Sequence, residues 1–247
     1  MVVPQVTARS AISVTAEGSS IGTSNPTVAP LTLYAFKYPV LVDFTYELER
    51  DEIIGLDSVL GQQVGIAAGT AIGHALALGT GTVEPTGFVS AASTGATAAV
   101  TTATGTGFFD WMDCIALKNS VPAPYRDAAS AAWQVSNGAL TKMQQFRDGN
   151  NAPLWYNSTV PGVTDTFAGR AVYENPAMAA VASASLSVAF GDWNQYIVRT
   201  LPVRTERSTE WQFGSDIITL KTVFTVDGNI LPGAGANAIR LMKSYNT

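Results

Sequence analysis

One run of sequence limits the fold more than any other. From Asp51 to Leu78, apolar residues (Ile53, Ile54, Leu56, Val59, Leu60, Val64, Ala67, Ala68, Ala71, Ile72, Ala75, Leu76) keep close to helical spacing, which predicts a single long helix over 51–78 closed by Gly79-Thr80-Gly81. Glu49, Asp51 and Glu52 stand at its start, where a helix N-terminus favours negative charge. Within it Gly61, Gly65, Gly69 and Gly73 recur every four residues and mark one face without side chains. Each glycine costs a helix about 1 kcal/mol relative to alanine. The expected offset is close packing of another backbone on that face, as in small-xxx-small contacts. The most apolar part, Val64–Leu78, is 15 residues long. That is short of the roughly 20 needed to span a bilayer, and it is mostly Ala and Gly with His74 inside it, so no membrane span is expected.

The flanks have a different period. Residues 1–30 are Ser/Thr-rich and broken by Gly18, Gly22, Pro26 and Pro30, which predicts an extended, irregular segment. Residues 31–48 alternate as strands (Leu31, Leu33, Ala35, then Val40, Val42, Phe44), with Pro39 pointing to an edge position. Residues 79–107 are expected to form a long loop or hairpin region that ends in an Ala/Thr/Gly tract over 93–107. Short helices are expected at 108–119 and at 137–146, the second capped by Asn137. Strands are expected at 131–136, 154–157, 169–173, 186–190, 195–200, 203–213 and 216–226, with a turn at Asp227-Gly228-Asn229 and a last element at 236–243. The strands are not in strict βαβ order, so the fold class is α+β.

Composition bears on function through charge. Only 13% of the 247 residues are charged, while 47% are apolar; an average soluble domain has about 25% charged residues. A surface so poor in charge is expected to be covered extensively by other subunits, since permanent interfaces are apolar and charge-depleted. The net charge is −5 and the 14 basic residues are scattered, which disfavours tight or sequence-reading DNA binding and still allows a wall that encloses DNA.

Candidate chemistry is sparse. Cys114 and His74 are the only residues of their kinds, leaving few routes to a zinc site or a nucleophile–histidine pair. Cys114 lies among Phe108, Phe109, Trp111, Met112 and Ile115 and is expected to be a buried, inert thiol. GTGTVEPTG (79–87) resembles a phosphate loop but follows a helix and lacks Gly-Lys-Ser/Thr. The carboxylates Glu49/Asp51/Glu52, Asp110/Asp113 and Glu206/Glu210 single out no catalytic pair. Asn157-Ser158-Thr159 is formally a glycosylation sequon, and no secretory signal precedes it. No catalytic, metal or cofactor residue is therefore assigned, and no enzyme activity or cofactor is expected.

The order of the pieces carries a resemblance. Ala16-Glu17-Gly18 lies in the extended start. ALALGTGTVEPTGFVS closes the long helix and contributes Gly79, Gly81, Pro85 and Gly87. There follow PAPYRDAASAAWQVSNGALTKMQQFRDGNNAPLWY with Trp133, then Gly169-Arg170-Ala171-Val172, then VAFGDWNQYIV with Gly191 and Asp192, and finally DIITLKTVFTVDGN and AIRLMKS. Together these resemble the major capsid proteins of tailed bacteriophages, of the Hong Kong 97-type fold, over roughly residues 10–245.

The resemblance implies a structural subunit that self-assembles into hexamers and pentamers of an icosahedral head enclosing double-stranded DNA, in the virion after assembly in the host cytoplasm. It implies a partial E loop over 1–36, with Glu17 and Gly18 contacting a neighbouring subunit. A P domain would cover 37–119 with spine helix 51–78, and an A domain 120–200. A P-domain return ribbon would follow at 201–228, then a C-terminal strand returning to the A domain at 229–247. The implied partners are other copies of the chain, a portal, a scaffolding or maturation protease and a decoration protein. Relative to the family, the N-terminal arm is expected to be short or trimmed. The first lysine, Lys37, falls in a strand, so covalent cross-linking from the E loop is not expected. Two other functions fit parts of the pattern: an encapsulin-like compartment shell, and a β-rich hydrolase or carbohydrate-binding protein using Trp155, Tyr156, Trp193 and Trp211.

Overall fold

A computed structural model describes residues 1–8, 10–51, 55–94, 100–101, 109–155, 164–231 and 238–244. In chain order the elements are β1 (Val2–Ala8), β2 (Thr27–Thr32), β3 (Phe36–Thr45), α1 (Tyr46–Asp51), α2 (Leu56–Leu78), α3 (Phe88–Thr94), β4 (Val100–Thr101), α4 (Trp111–Ser120), α5 (Ala123–Arg126), β5 (Ala131–Val135), α6 (Asn137–Gln144), β6 (Thr166–Phe167), β7 (Arg170–Glu174), β8 (Leu186–Asp192), β9 (Tyr196–Gln212), β10 (Ile217–Ile230) and β11 (Ile239–Lys243). Helices and strands are mixed without βαβ alternation. The chain divides into two compact units, Leu33–Gly87 with Val198–Gly228, and Met1–Thr32 with Phe88–Ile197 and Asn229–Thr247.

In the first of these, β3, β10 and β9 form a three-stranded sheet in that order. The period-two pattern works as physics requires. Along β3 even-numbered residues turn inward and odd-numbered ones outward, and Phe44 faces Ile218 across the antiparallel β3–β10 ladder. Pro39 falls on β3, an edge strand, where its missing N–H costs no ladder bond. Pro202 lies in β9 at the opposite edge, so the expected strands 195–200 and 203–213 are one continuous strand. Asp227-Gly228-Asn229 is not a turn, because β10 runs through it to Ile230.

The long helix also begins later than its periodicity predicts. Glu49 and Asp51 belong to α1, and α2 starts at Leu56 after Gly55, whose φ of 76° is left-handed and interrupts helical geometry. Residues 52–54, Glu52 included, lie outside the described residues.

The second unit is built on a six-stranded sheet of order β4-β11-β8-β5-β7-β6. Residues 88–94 and 109–119 belong to this unit. The reason is packing. Cys114 and Leu117 of α4 lie fully buried in one cluster with Trp133, Val135, Met143, Phe167, Val188, Phe190 and Met242. Within the stretch expected to be loop, residues 88–94 form α3, whose Phe88 ring meets Trp193 edge-on at 5.0 Å. Most of the Ala/Thr/Gly tract lies outside the described residues. Ser136, not Asn137, caps α6, its hydroxyl accepting the N–H of Ala139 at 3.4 Å. No strand forms at 154–155, and Tyr156, Asn157, Ser158 and Thr159 lie outside the described residues.

Met1–Thr32 adds a separate antiparallel hairpin, β1 against β2, from Val2↔Thr32 to Ala8↔Thr27.

Candidate assembly interface

The family-motif residues sit where backbones come close. Gly79 donates its N–H to Ala75 O at 2.8 Å, and Gly87 donates to Gly79 O at 2.9 Å, folding the end of α2 into a tight turn. A Cβ on Gly79 would stand 2.1 Å from the carbonyl oxygen of Pro85, and one on Gly87 2.5 Å from the carbonyl of Ala77. Gly81 has φ of 80°, a backbone conformation that glycine adopts without strain. Gly79, Gly81, Pro85 and Gly87 are thus drawn into one turn that only glycines can close at three positions. Gly169 (φ 77°) follows Ala168 (φ 50°) in the two-residue turn between β6 and β7, the double left-handed geometry of a tight hairpin.

Gly191 and Asp192 end β8. A Cβ on Gly191 would lie 2.2 Å from the oxygen of Ala238, so β11 approaches that closely only past a glycine. The Asp192 carboxylate collects Ser130 Oγ, Asn194 N at 3.1 Å and Gln195 Nε2 at 3.3 Å, tying the entry of β5 to the end of β8 at one corner of the sheet. Trp133 is fully buried, packs at 4.5 Å from Phe190 and 5.4 Å from Phe167, and donates its indole N–H to Phe167 O at 3.0 Å.

Several of the ionisable side chains singled out in the sequence are engaged within the fold. Asp110 and Asp113 form a reciprocal capping box at the start of α4, each accepting the other's backbone N–H at 3.0 Å. Burial raises the Asp113 carboxyl above the usual carboxylate range. Burial, followed by the charges of Asp113 and Asp110, pushes the Cys114 thiol far up, leaving it un-ionised and inert. Glu49 pairs with Arg207 at 2.7 Å, and Glu206 bonds to Arg204 and stands 3.5 Å from Lys221. Among the described residues, no group of three or more His, Cys, Asp or Glu side chains is placed to hold a metal. An open cleft of about 430 Å³ over β5 and β7 is lined by Gln134, Arg170, Tyr173, Trp193 and small residues, with no carboxylate, histidine or cysteine. Among the described residues, no helix is long and apolar enough to cross a membrane.

What also stands open is a set of apolar side chains and one small-residue helix face. Glu17 and Gly18 form the turn at the tip of the hairpin loop, where Ser19 donates to Ala16 O at 3.1 Å. Around them Ile12, Val14 and Ile21 are exposed to 99%, 102% and 87%. On α2, between Ser58 and His74, only Leu60, Val64, Ala68 and Ile72 are partly covered, a single row four residues apart. A Cβ on Gly61, Gly65, Gly69 or Gly73 would meet nothing within 4 Å. The close packing expected on that glycine face is therefore not supplied by the described residues of the same chain. Trp211 and Phe213, at the turn between β9 and β10, are also exposed. That turn carries no pattern in the sequence that marks its aromatics as open.

Exposed aliphatic and aromatic side chains of this kind, beside an uncovered small-residue helix face, are what a subunit of a larger assembly presents. The sequence matches the Phage capsid family over residues 1–243. The chain belongs to that family. The phage capsid chain also shares its fold with solved structures. The capsid of a native GTA particle, computed with C5 symmetry, is similar over all of this chain and 85% of its own, with a TM-score of 0.85 at 19% identity. Structures from Mycobacterium phage Bobi (TM-score 0.71, 17% identity) and Microbacterium phage Oxtober96 (0.71, 16%) each cover 98% of this chain, and 84% and 85% of their own. No curated protein matches it. The fold is the Hong Kong 97-type capsid fold, and the chain is a major capsid protein, a structural component of the virion. Neither an encapsulin-like compartment nor a β-rich hydrolase or carbohydrate-binding protein is favoured.

Proposed function

We propose that this capsid chain assembles in the host cytoplasm into hexamers and pentamers that close an icosahedral shell around double-stranded DNA. The unit with the six-stranded sheet acts as the A domain at the ring centres, and the unit with α2 and the three-stranded sheet as the P domain. The hairpin Val2–Thr32 acts as the E loop, with Glu17 and Gly18 reaching a neighbouring copy. The observation that carries this reading is the hairpin. A two-stranded ribbon is marginal in water by itself, and this one holds out three exposed aliphatic side chains on a loop whose only acid is Glu17. Those residues gain burial only on another molecule, where each contributes about 1.5–3 kcal/mol.

The acidic balance suits a wall that contains DNA without gripping it, because scattered basic residues release few counterions. A portal, a scaffolding or maturation protease and a decoration protein complete the set of partners. Acting by assembly, the chain needs neither cofactor nor catalytic residue.

The test is microscopy and sedimentation of the purified chain beside a variant with Ile12, Val14 and Ile21 all changed to serine. The native chain is expected to form rings or closed shells, and the variant to require at least tenfold more protein to do so. A native chain that stays monomeric at high concentration overturns the proposal.

A further inference from the structure

Between β2 and β3 the chain passes through three residues, Leu33–Ala35, that belong to no strand. Their backbone is not left to water. Arg199 of β9 sends Nη1 to the carbonyl oxygens of both Leu33 and Tyr34, at 3.0 and 2.9 Å. Asp227 of β10, 4% exposed, accepts the N–H of Tyr34 on one carboxylate oxygen and that of Gly228 on the other. The Leu33 side chain is buried. Two side chains of opposite charge, from adjacent strands, thus grip both polarities of one dipeptide, and an aliphatic plug locks it.

Charge-assisted bonds of this kind are about twice as strong as neutral ones. In a chain with so few charged residues, spending two of them on a connector calls for a reason beyond satisfying three backbone groups.

We infer that Arg199 and Asp227 are positioning residues for assembly: they hold rigid the root from which the Val2–Thr32 hairpin leaves. This rests on the reading that the hairpin docks on a neighbouring copy. A root free to rotate would have to be ordered at each docking event, which weakens binding by roughly tenfold for every residue fixed. A clamped root carries that ordering in advance, so the hairpin meets its neighbour preorganised. Neither residue touches the neighbour in this scheme; both act through Leu33 and Tyr34.

The first measurement needs no variant. In the unassembled native chain the amide of Tyr34 is expected to exchange slowly, at rates like those of β3, and exchange as fast as in the 10–26 loop overturns the inference. The second is a double-mutant cycle read as the protein concentration needed for assembly. Arg199→Ala and Asp227→Asn are each expected to raise it about tenfold or more. Arg199→Lys, which keeps the charge but moves the donor nitrogen, is expected to fall between Arg199→Ala and the native chain. In the background where Ile12, Val14 and Ile21 are serine, Arg199→Ala is expected to add little, because the hairpin it positions no longer binds. An equal effect in both backgrounds, or none in the native background, overturns the inference. If the triple serine chain assembles like the native one, it is the reading of the hairpin that fails, whatever Arg199 does.

Discussion

The six-stranded sheet and helix α2 meet opposite fates, and the difference follows from the size of their apolar side chains. The sheet builds a core within its own unit. Trp133, Phe167, Phe190, Leu117 and Met143 are large enough to fill the space between β5, β8 and α4, and they are themselves fully buried. Helix α2 is built from Ala, Gly, Gln, Thr and a few aliphatics, and its volume is too small to draw a complete shell of neighbours around it. Between Ser58 and His74 one row is partly covered and the rest stays open. Large apolar residues make a core out of their own chain, whereas small ones make a surface that other chains can approach closely. In a shell protein both are required, one to keep each copy folded and one to let copies join.

The comparison breaks first at Trp133. Truncating it to alanine removes a fully buried ring, its contacts with Phe167 and Phe190 and its bond to Phe167 O. A loss of about 3–5 kcal/mol is expected, measurable by urea unfolding of the unassembled chain. A loss below about 1 kcal/mol would mean that the sheet is not the closed core described. Gly191→Ala comes next. Its methyl would sit 2.2 Å from Ala238 O, against backbone and not a movable side chain. The β8–β11 pairing should loosen by about 1–3 kcal/mol, with hydrogen exchange accelerated at Ile239–Lys243 ahead of the rest of the sheet.

Much of this contrast is legible in the sequence, for reasons that differ by element. The alternation of Val40, Val42 and Phe44 specifies both strand and inward face, since a period of two allows only one burial. The glycines at 79, 81 and 87 read correctly as a turn because their missing side chains are needed at contact distance. The start of α2 was not legible. Glu49, Asp51 and Glu52 satisfy the charge preference of a helix start, but Gly55 turns left-handed and transfers Glu49 and Asp51 to a separate short helix. Asp227-Gly228-Asn229 has the composition of a turn, yet the ladder of β10 overrides it, and Asp227 serves Tyr34 instead. The clamp at Leu33 and Tyr34 could not be read at all, because its partners are 165 and 193 residues away.

The smallest expected effect is the most discriminating. Gly65 lies mid-way along α2 with nothing within 4 Å of the site a Cβ would occupy. In the unassembled chain Gly65→Ala should therefore stabilise the helix by about 1 kcal/mol, the difference in propensity, with no steric cost to set against it. In the assembled state the sign depends on what covers that face. If another backbone comes close there, the added methyl weakens assembly even as it strengthens the monomer, and the two measurements, urea unfolding and the concentration needed for assembly, move in opposite directions. If both improve, the glycine face has no close neighbour, and its four-residue repeat is a product of composition alone. A methyl that destabilises the unassembled chain would contradict the open face, and with it the contrast between a sheet closed by its own side chains and a helix left uncovered.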